Sequence, residues 1–270
     1  MRGATAAVIE TYYIIACAGA ALFGAVVGSF LNVCIYRVPL RESIVTPRSF
    51  CPSCRKTIPL YDNIPILSYL LLRGACRSCG SRISPVYPVI EVATALISLL
   101  LFHKYGLSWK YGISFIFVSA LLVVTVIDIR YQIIPDAISI PGIPLAVLAS
   151  AAVMGRPWLD ALLGALIGGG LLFLVAAGYW LFTRREGMGG GDIKLLAMIG
   201  GFFGWQSLFF IVLASSVAGA LVGLAIILMK KGSLKYAVPF GPFLSLAAFL
   251  NFFVGDVFER LLFFHQGNPW

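Results

Sequence analysis

The sequence predicts an all-α polytopic membrane protein of about eight transmembrane helices, with one small polar domain between the first and the second. Three observations carry this. Hydrophobic residues make up 60% of the chain, charged ones only 11%, and mean hydropathy is +0.96, whereas soluble globular chains are roughly a quarter charged. Several apolar runs approach or exceed the about 20 residues that a bilayer demands. Basic residues also segregate to one side when the runs are threaded through a membrane.

The first run, at about 9–36, is uninterrupted from Tyr12 to Tyr36. That exceeds the roughly 7–15 residues of a secretory signal's apolar region, so it is read as a spanning helix. The others lie at about 86–103, 111–129, 138–154, 159–183, 192–204, 207–229 and 237–263. The fifth of the eight is long and the sixth short. If 37–85 is cytoplasmic and the runs alternate from there, 15 of the 20 Lys and Arg fall inside. They are Arg37, Arg41, Arg48, Arg55, Lys56, Arg73, Arg77, Arg82, Arg130, Arg184, Arg185, Lys194, Lys230, Lys231 and Lys235. This is the positive-inside pattern, and it supports the number of runs as well, because a missed helix would scramble it. The net charge of +9 is thereby topological. No interleaved basic and aromatic motif accompanies it, so no nucleic-acid partner is expected.

The polar stretch 37–85 is the one region outside the membrane long enough to fold. It contains Cys51-x-x-Cys54 and Cys76-x-x-Cys79. Two such pairs match a tetrahedral four-thiolate zinc site. A segment this short has little core of its own, so a metal clip would supply much of its folding energy. Disulfides fit poorly with a reducing cytoplasm. Cys17 and Cys34, inside the first run, read as packing residues.

Ionisable groups in a spanning helix cost roughly 2.5–3.5 kcal/mol each on insertion scales, which makes them functional candidates. Asp128 ends the third run in VVTVIDIRYQIIPD, with Asp136 eight positions on. Asp192 opens the sixth within GMGGGDIK (187–194), and Glu91 lies in the second. In this threading Asp128 and Asp192 sit at equal depth on separate helices. Two carboxyl groups that meet there cannot both ionise cheaply and share one proton. One can then take a proton from water while the other polarises a carbonyl, which is peptide hydrolysis without a covalent intermediate. The glycines beside Asp192, among them Gly189 and Gly191, would let an extended substrate approach backbone to backbone. The structural alternative makes Asp192 a helix cap and Asp128 an interfacial residue near Arg130. A capping role is expected for Asp136, which follows Pro135. Glu91 would pair with a basic neighbour or line a polar pocket. His103 and His265 fall on the side opposite the acids, and neither H-E-x-x-H nor G-x-S-x-G occurs.

These pieces together resemble the type IV prepilin peptidases, the bifunctional leader peptidase/N-methyltransferases of bacterial inner membranes. GSFLNVCIYRVP (28–39), the two cysteine pairs with DNIPILSYLLLRG (62–74), and ISPVYPVIE (83–91) carry the likeness in the first third. Asp128 with Ile-Pro-Asp136, and Gly189-Gly190-Gly191-Asp192-Ile193-Lys194, carry it beyond, the latter as a G-x-G-D motif. The resemblance implies an intramembrane aspartyl protease whose catalytic pair is Asp128 and Asp192, with Asp136 auxiliary. The partner it implies is a prepilin or pseudopilin of a type IV pilus or type II secretion system. Cleavage would follow the terminal Gly of the basic leader. The new α-amino group would then be methylated with S-adenosyl-L-methionine. The division is 1–36 as first transmembrane helix, 37–85 as cytoplasmic tetracysteine zinc domain and 86–270 as transmembrane peptidase domain. A secondary transporter and a non-catalytic scaffold of a pilus or secretion machine are the alternatives.

Overall fold

A computed structural model describes residues 2–185, 189–229 and 238–263, with side chains described except at 2–9 and 263. Gly187 and Met188 of the glycine-rich stretch, Lys230, Lys231 and Lys235 of the basic excess, and His265 lie outside the described residues. Helix α1 (Arg2–Arg37) enters the polar region, which holds a single 3-10 turn at Leu60–Asn63 and the short α2 (Leu67–Leu71). There follow α3 (Val86–Tyr105), α4 (Trp109–Tyr131), α5 (Asp136–Ala149), α6 (Trp158–Thr183), α7 (Gly190–Phe203), α8 (Trp205–Met229) and α9 (Gly241–Phe263). The described residues form no β-strand, only isolated bridges between Phe50 and Thr57 and between Ala75 and Arg82.

All eight expected runs are therefore helical, and seven are long and apolar enough to cross a membrane. The exception is α7, with 14 residues, roughly 21 Å at 1.5 Å per residue. Its length has a physical counterpart in its surroundings. Every residue from Leu195 to Phe203 is buried, so α7 is enclosed by protein and is apolar all round because every face is covered. Helix α5 contains Pro141 and Pro144 and continues through a π turn at Ser150–Met154. With that turn it reaches 19 residues, enough to span.

The chain divides into two units, Met1–Ser119 and Ala120–Trp270, with the boundary inside α4. In the first, α1 lies along α3. Gly24 and Gly28, one turn apart, permit that approach. A Cβ at Gly24 would fall 2.7 Å from the Thr94 carbonyl, and one at Gly28 would fall 2.8 Å from the Glu91 Cα. The Ser98 hydroxyl donates to the Ala20 carbonyl at 2.6 Å. The Asn32 amide donates to the Tyr87 carbonyl at 3.1 Å. At the end of α1 the buried Arg37 donates to the carbonyls of Ser43 (2.9 Å) and Pro47 (2.8 Å), which fixes the entry to the polar domain. The GSFLNVCIYRVP stretch thus works through helix approach at Gly28, helix pairing at Asn32 and loop anchoring at Arg37.

In the second unit α7 is central, packed against α5, α6, α8 and α9. Its contact with α6 is backbone to backbone. Cβ atoms at Gly164 and Gly200 would each strike the other residue's carbonyl, and one at Gly168 would fall 2.6 Å from the Leu196 carbonyl. Small residues at that crossing let two helices pack without side chains between them. Asp192, in the first turn of α7, is thereby held on the most enclosed helix of the unit.

Candidate active site and metal cluster

Asp128 is in the last turn of α4 and Asp192 in the first turn of α7. Asp128 is 6% exposed, and its Oδ2 accepts the backbone N–H of Gly241, the first residue of α9, at 3.1 Å. Ile134 packs against both Gly241, which binds Asp128, and Gly191, which precedes Asp192, so the structure brings the two acids into one neighbourhood. Asp192 Oδ1 is buried with no hydrogen-bond partner among the described residues. A buried carboxylate oxygen left without a protein partner carries a desolvation cost that calls for a specific reason. Capping is not that reason. Gly189 holds the N-cap position of α7, and Asp192 contributes its backbone N–H to the Gly189 carbonyl (3.2 Å).

Three residues shape the space around the pair. A Cβ at Gly191 would fall 2.8 Å from the Ile134 Cβ, and one at Gly241 would fall 2.6 Å from Asp128 Oδ2 and 3.2 Å from Ile134 Cδ1. Ile134 is therefore wedged between two glycines, each of which must lack a side chain. A Cβ at Gly190, by contrast, would meet nothing within 4 Å. The glycine run thus serves two purposes: Gly191 allows tight packing, and Gly189 and Gly190 leave one side open.

Asp136 and Lys194 form an ion pair. Asp136 does not cap α5: Pro135 occupies the N-cap position and Asp136 is the first helical residue. The expectation of a cap is corrected to a tie between α5 and α7. Of the two expectations for Glu91, the basic partner is not met among the described residues. Glu91 is buried, and its Oε2 accepts the Ile66 backbone N–H at 2.7 Å. It anchors the polar domain to α3.

The four cysteines of that domain converge, with all Sγ atoms within 4.8 Å of one another and Cys51 Sγ to Cys79 Sγ at 3.8 Å. Such a group can hold a metal ion. The positions come from two turns of the same construction. Cys51 N–H bonds the Lys56 carbonyl (3.0 Å), and Arg55 N–H bonds the Cys51 carbonyl (2.9 Å). Cys76 N–H likewise bonds Ser81 (2.8 Å) and Gly80 N–H bonds Cys76 (2.9 Å). The left-handed residue is Arg55 (φ 60°) in the first turn and Gly80 (φ 71°) in the second. Residues 74–83 thus retrace the backbone of 49–58, and the recurrence of Cys, Ser, Cys and Ile at Cys51/Cys76, Ser53/Ser78, Cys54/Cys79 and Ile58/Ile83 marks the same duplication in the sequence. The backbone N–H of Cys54 and the Ser81 hydroxyl bring the Cys51 thiol down to about 6, against the opposing effect of burial. The Lys56 N–H lowers Cys54, but burial and the neighbouring thiols outweigh it and push this thiol up to about 11. Four thiolates so close together need a cation between them. Asp62 and Arg77 link the 3-10 turn to the second turn through bonds of 2.7 and 2.8 Å, and the Arg77 guanidinium holds the Asp62 carboxyl below the usual range.

Residues 115–224 match the model of the type IV leader peptidase family, and residues 22–105 match that of the bacterial peptidase A24 N-terminal domain. A prepilin leader peptidase/N-methyltransferase of Pseudomonas putida is 38% identical over 262 residues, covering 88% of this chain and 90% of the relative. The chain belongs to the type IV leader peptidase family. Relatives carrying the same name in Pseudomonas aeruginosa (36% identical; 88% of this chain, 90% of the relative) and Bacillus subtilis (37%; 87% and 93%) agree. No solved structure matches the chain significantly.

Within this family frame, Gly241 and Ile134 are the residues that sequence reasoning missed. The signal for Gly241 lay in the Pro-Phe-Gly-Pro run at 239–242, which reads as a helix start but does not reveal that its N–H meets Asp128. Gly241→Ala is expected to reduce peptide cleavage roughly 10- to 100-fold, because displacing a reacting group by about 1 Å can cost 10²-fold. Insertion and metal content should stay normal. A peptide-cleavage assay on the purified variant checks this, and an unaffected rate would show that the Asp128–Gly241 contact is dispensable.

Proposed function

We propose that Asp128 and Asp192 are the catalytic pair of an intramembrane aspartyl leader peptidase. The observation that carries this reading is that both acids stand around Ile134, with Asp128 held by Gly241 and one buried Asp192 oxygen left without a partner among the described residues. The chain is a prepilin leader peptidase with N-methyltransferase activity in a multi-pass inner-membrane setting. Its substrate is a prepilin or pseudopilin whose basic leader stays in the cytoplasm. The functional division is an anchor helix at 1–36, a zinc domain at 37–85 and the peptidase region at 86–270. The zinc domain and the aspartates lie at the cytoplasmic face, where the positive-inside pattern puts them.

In the reaction, the ionised carboxyl group takes a proton from water, which attacks the scissile carbonyl while the protonated carboxyl group donates to the carbonyl oxygen. The carbon–nitrogen bond then breaks as a proton passes to the leaving amine, and the pair returns to its singly protonated state. Gly189 and Gly190 give an extended strand access beside Asp192. Lys194 and Asp136 brace the two helices without entering the chemistry.

Zinc is the metal this cluster fits. Four thiolates around Zn²⁺ at a Zn–S distance of about 2.3 Å have sulfur–sulfur edges of about 3.8 Å. The Cys51–Cys79 separation has that length. Cys51, Cys54, Cys76 and Cys79 would hold the ion in a closed, structural role. S-adenosyl-L-methionine supplies an electrophilic methyl group whose transfer to an amine needs no carboxylate from the protein. The secondary-transporter and scaffold readings lose ground to a family whose relatives are named as enzymes. Mass spectrometry of a type IV prepilin co-expressed with this chain tests the reading. The expected product is cleaved after the terminal Gly of the leader and carries one methyl on its new N-terminus. An uncleaved prepilin would overturn it.

The two activities should separate. Methyl transfer needs a deprotonated amine aligned with the donor, and positioning supplies most of the acceleration. Asp192→Asn is therefore expected to label a pre-cleaved pilin with a radioactive methyl donor at a rate within about threefold of wild type, since alignment rather than acid–base chemistry limits the step. No transfer by the variant, with transfer by wild type, would mean that both reactions use the same carboxylates.

A further inference from the structure

The short helix α2 is turned inside out. Its one polar side chain small enough to bury, Ser68, is 7% exposed and donates its hydroxyl to the Tyr61 carbonyl at 2.9 Å. Its leucines face outward: Leu67, Leu70 and Leu71 are 50%, 66% and 73% exposed. Positions 67, 70 and 71 share one helical face, and Leu60 (75%) in the preceding 3-10 turn is also exposed. In a domain surrounded by water this arrangement would be reversed, since contiguous apolar patches mark a surface that meets something apolar.

The position of that face identifies what it meets. Glu91, which accepts the Ile66 N–H that opens α2, belongs to α3, a membrane-spanning helix that begins at Val86. Glu91 is the sixth residue of that helix, roughly 7–8 Å along its axis from the first. All 20 residues of α3 are needed to cross a hydrocarbon core of about 30 Å. The start of α2 is therefore pinned level with the first turns of a spanning helix, not out in the aqueous phase. The domain is also tethered at both ends, by α1 and α3, so that it stays against the bilayer. Its charge complements an anionic surface. From Arg37 to Pro85 the basic residues are Arg37, Arg41, Arg48, Arg55, Lys56, Arg73, Arg77 and Arg82, against the acids Glu42 and Asp62 alone. Arg73 stands two residues beyond the end of α2 and is exposed, placed for its charge to reach headgroups while the leucines enter the acyl boundary.

We propose that residues 60–71 form an interfacial wedge, with Leu60, Leu67, Leu70 and Leu71 seated in the headgroup–acyl boundary of an anionic phospholipid bilayer. The wedge fixes the depth of the metal domain against the membrane, and it does not depend on which residues are catalytic. The consequence is that this domain is a peripheral membrane element even though no helix in it spans.

Photo-crosslinking tests this on the full chain in nanodiscs of phosphatidylethanolamine and phosphatidylglycerol, without any pilin. Leu70→p-benzoylphenylalanine and Leu71→p-benzoylphenylalanine should yield phospholipid adducts by mass spectrometry. Their yield should be within about twofold of that at Leu96, an exposed position of α3. The same residue at Lys56, exposed on the first cysteine turn, should give at least tenfold less. Yields at 70 and 71 no higher than at 56 would overturn the proposal. So would adducts at 70 and 71 that are absent in this sample and form only to prepilin in a parallel one to which it is added, which would make the face a substrate dock.

Discussion

Replacing either Asp128 or Asp192 with Asn is expected to lower peptide cleavage by at least about 10²–10⁴-fold, the range that a positioned acid or base contributes. The swap preserves volume and leaves an amide where a titrating carboxyl group stood, so the shared proton has no second site. The structure sharpens the expectation differently for the two residues. At Asp128, an Asn can still offer its carbonyl oxygen to the Gly241 N–H, so α9 should remain docked and the variant should fold. At Asp192 the buried Oδ1 has no partner among the described residues to lose, so the loss should again be purely chemical. Asp136→Asn is the matched control. Its carboxylate is 60% exposed and pairs with Lys194, and exposed pairs of this kind contribute about 0–1 kcal/mol. Cleavage should stay within a few-fold of wild type. Initial rates on a prepilin in detergent or nanodiscs, with expression and thermal unfolding measured alongside, distinguish the three. Near wild-type cleavage by Asp128→Asn or Asp192→Asn would remove that residue from the pair.

The second large effect is expected at the cysteines. Elemental analysis of the purified protein should find one zinc per chain. Cys76→Ser should weaken its retention by more than about 100-fold, given that loss of partners beyond the ligands themselves already costs 10–100-fold. The reason lies in how little else holds the domain. Its elements are one 3-10 turn and one five-residue helix, and of its apolar side chains only Cys51 is among the buried core. The two cysteine turns would lose the ion that joins them, and limited proteolysis between residues 37 and 85 should accelerate. Because Glu91 anchors this domain to α3 through Ile66, methyl transfer should fall at least as far as cleavage. A metal-free domain that resists protease as well as the wild type would remove the structural role of the ion.

The membrane class, the helical runs and the spacing of four cysteines that converge were legible in the sequence, and the two aspartates stood out there as the candidate pair. Each is a property of local composition or short spacing. An apolar run must cross a bilayer or be buried, a Cys-x-x-Cys turn presents two sulfurs to one point, and a carboxyl group in such a run needs a purpose. Even the short sixth run was visible by length. Its enclosure was not, because a segment apolar on every side reads the same whether lipid or protein covers it.

Tertiary structure alone decided which groups meet. Gly241 lies more than a hundred positions from Asp128, and no periodicity relates an N–H at the start of one helix to a carboxylate at the end of another. Asp192 and Asp136 each sit where a cap is plausible, yet Gly189 and Pro135 hold those positions. That choice turns on backbone angles one to three residues upstream, which the identity of the acid does not fix. Glu91 was recognisable as costly to bury, but its partner proved to be a backbone N–H, a group every residue but proline possesses and which no sequence pattern marks. The repeated cysteine turn is marked in the sequence by its recurring residues but not in its backbone angles, since Arg55 and Gly80 adopt one left-handed conformation from dissimilar side chains. Sequence determined what this protein must bury and which residues can do chemistry; the packing of glycines at Gly164, Gly191, Gly200 and Gly241 decided how closely backbones approach, and so which of those residues face one another.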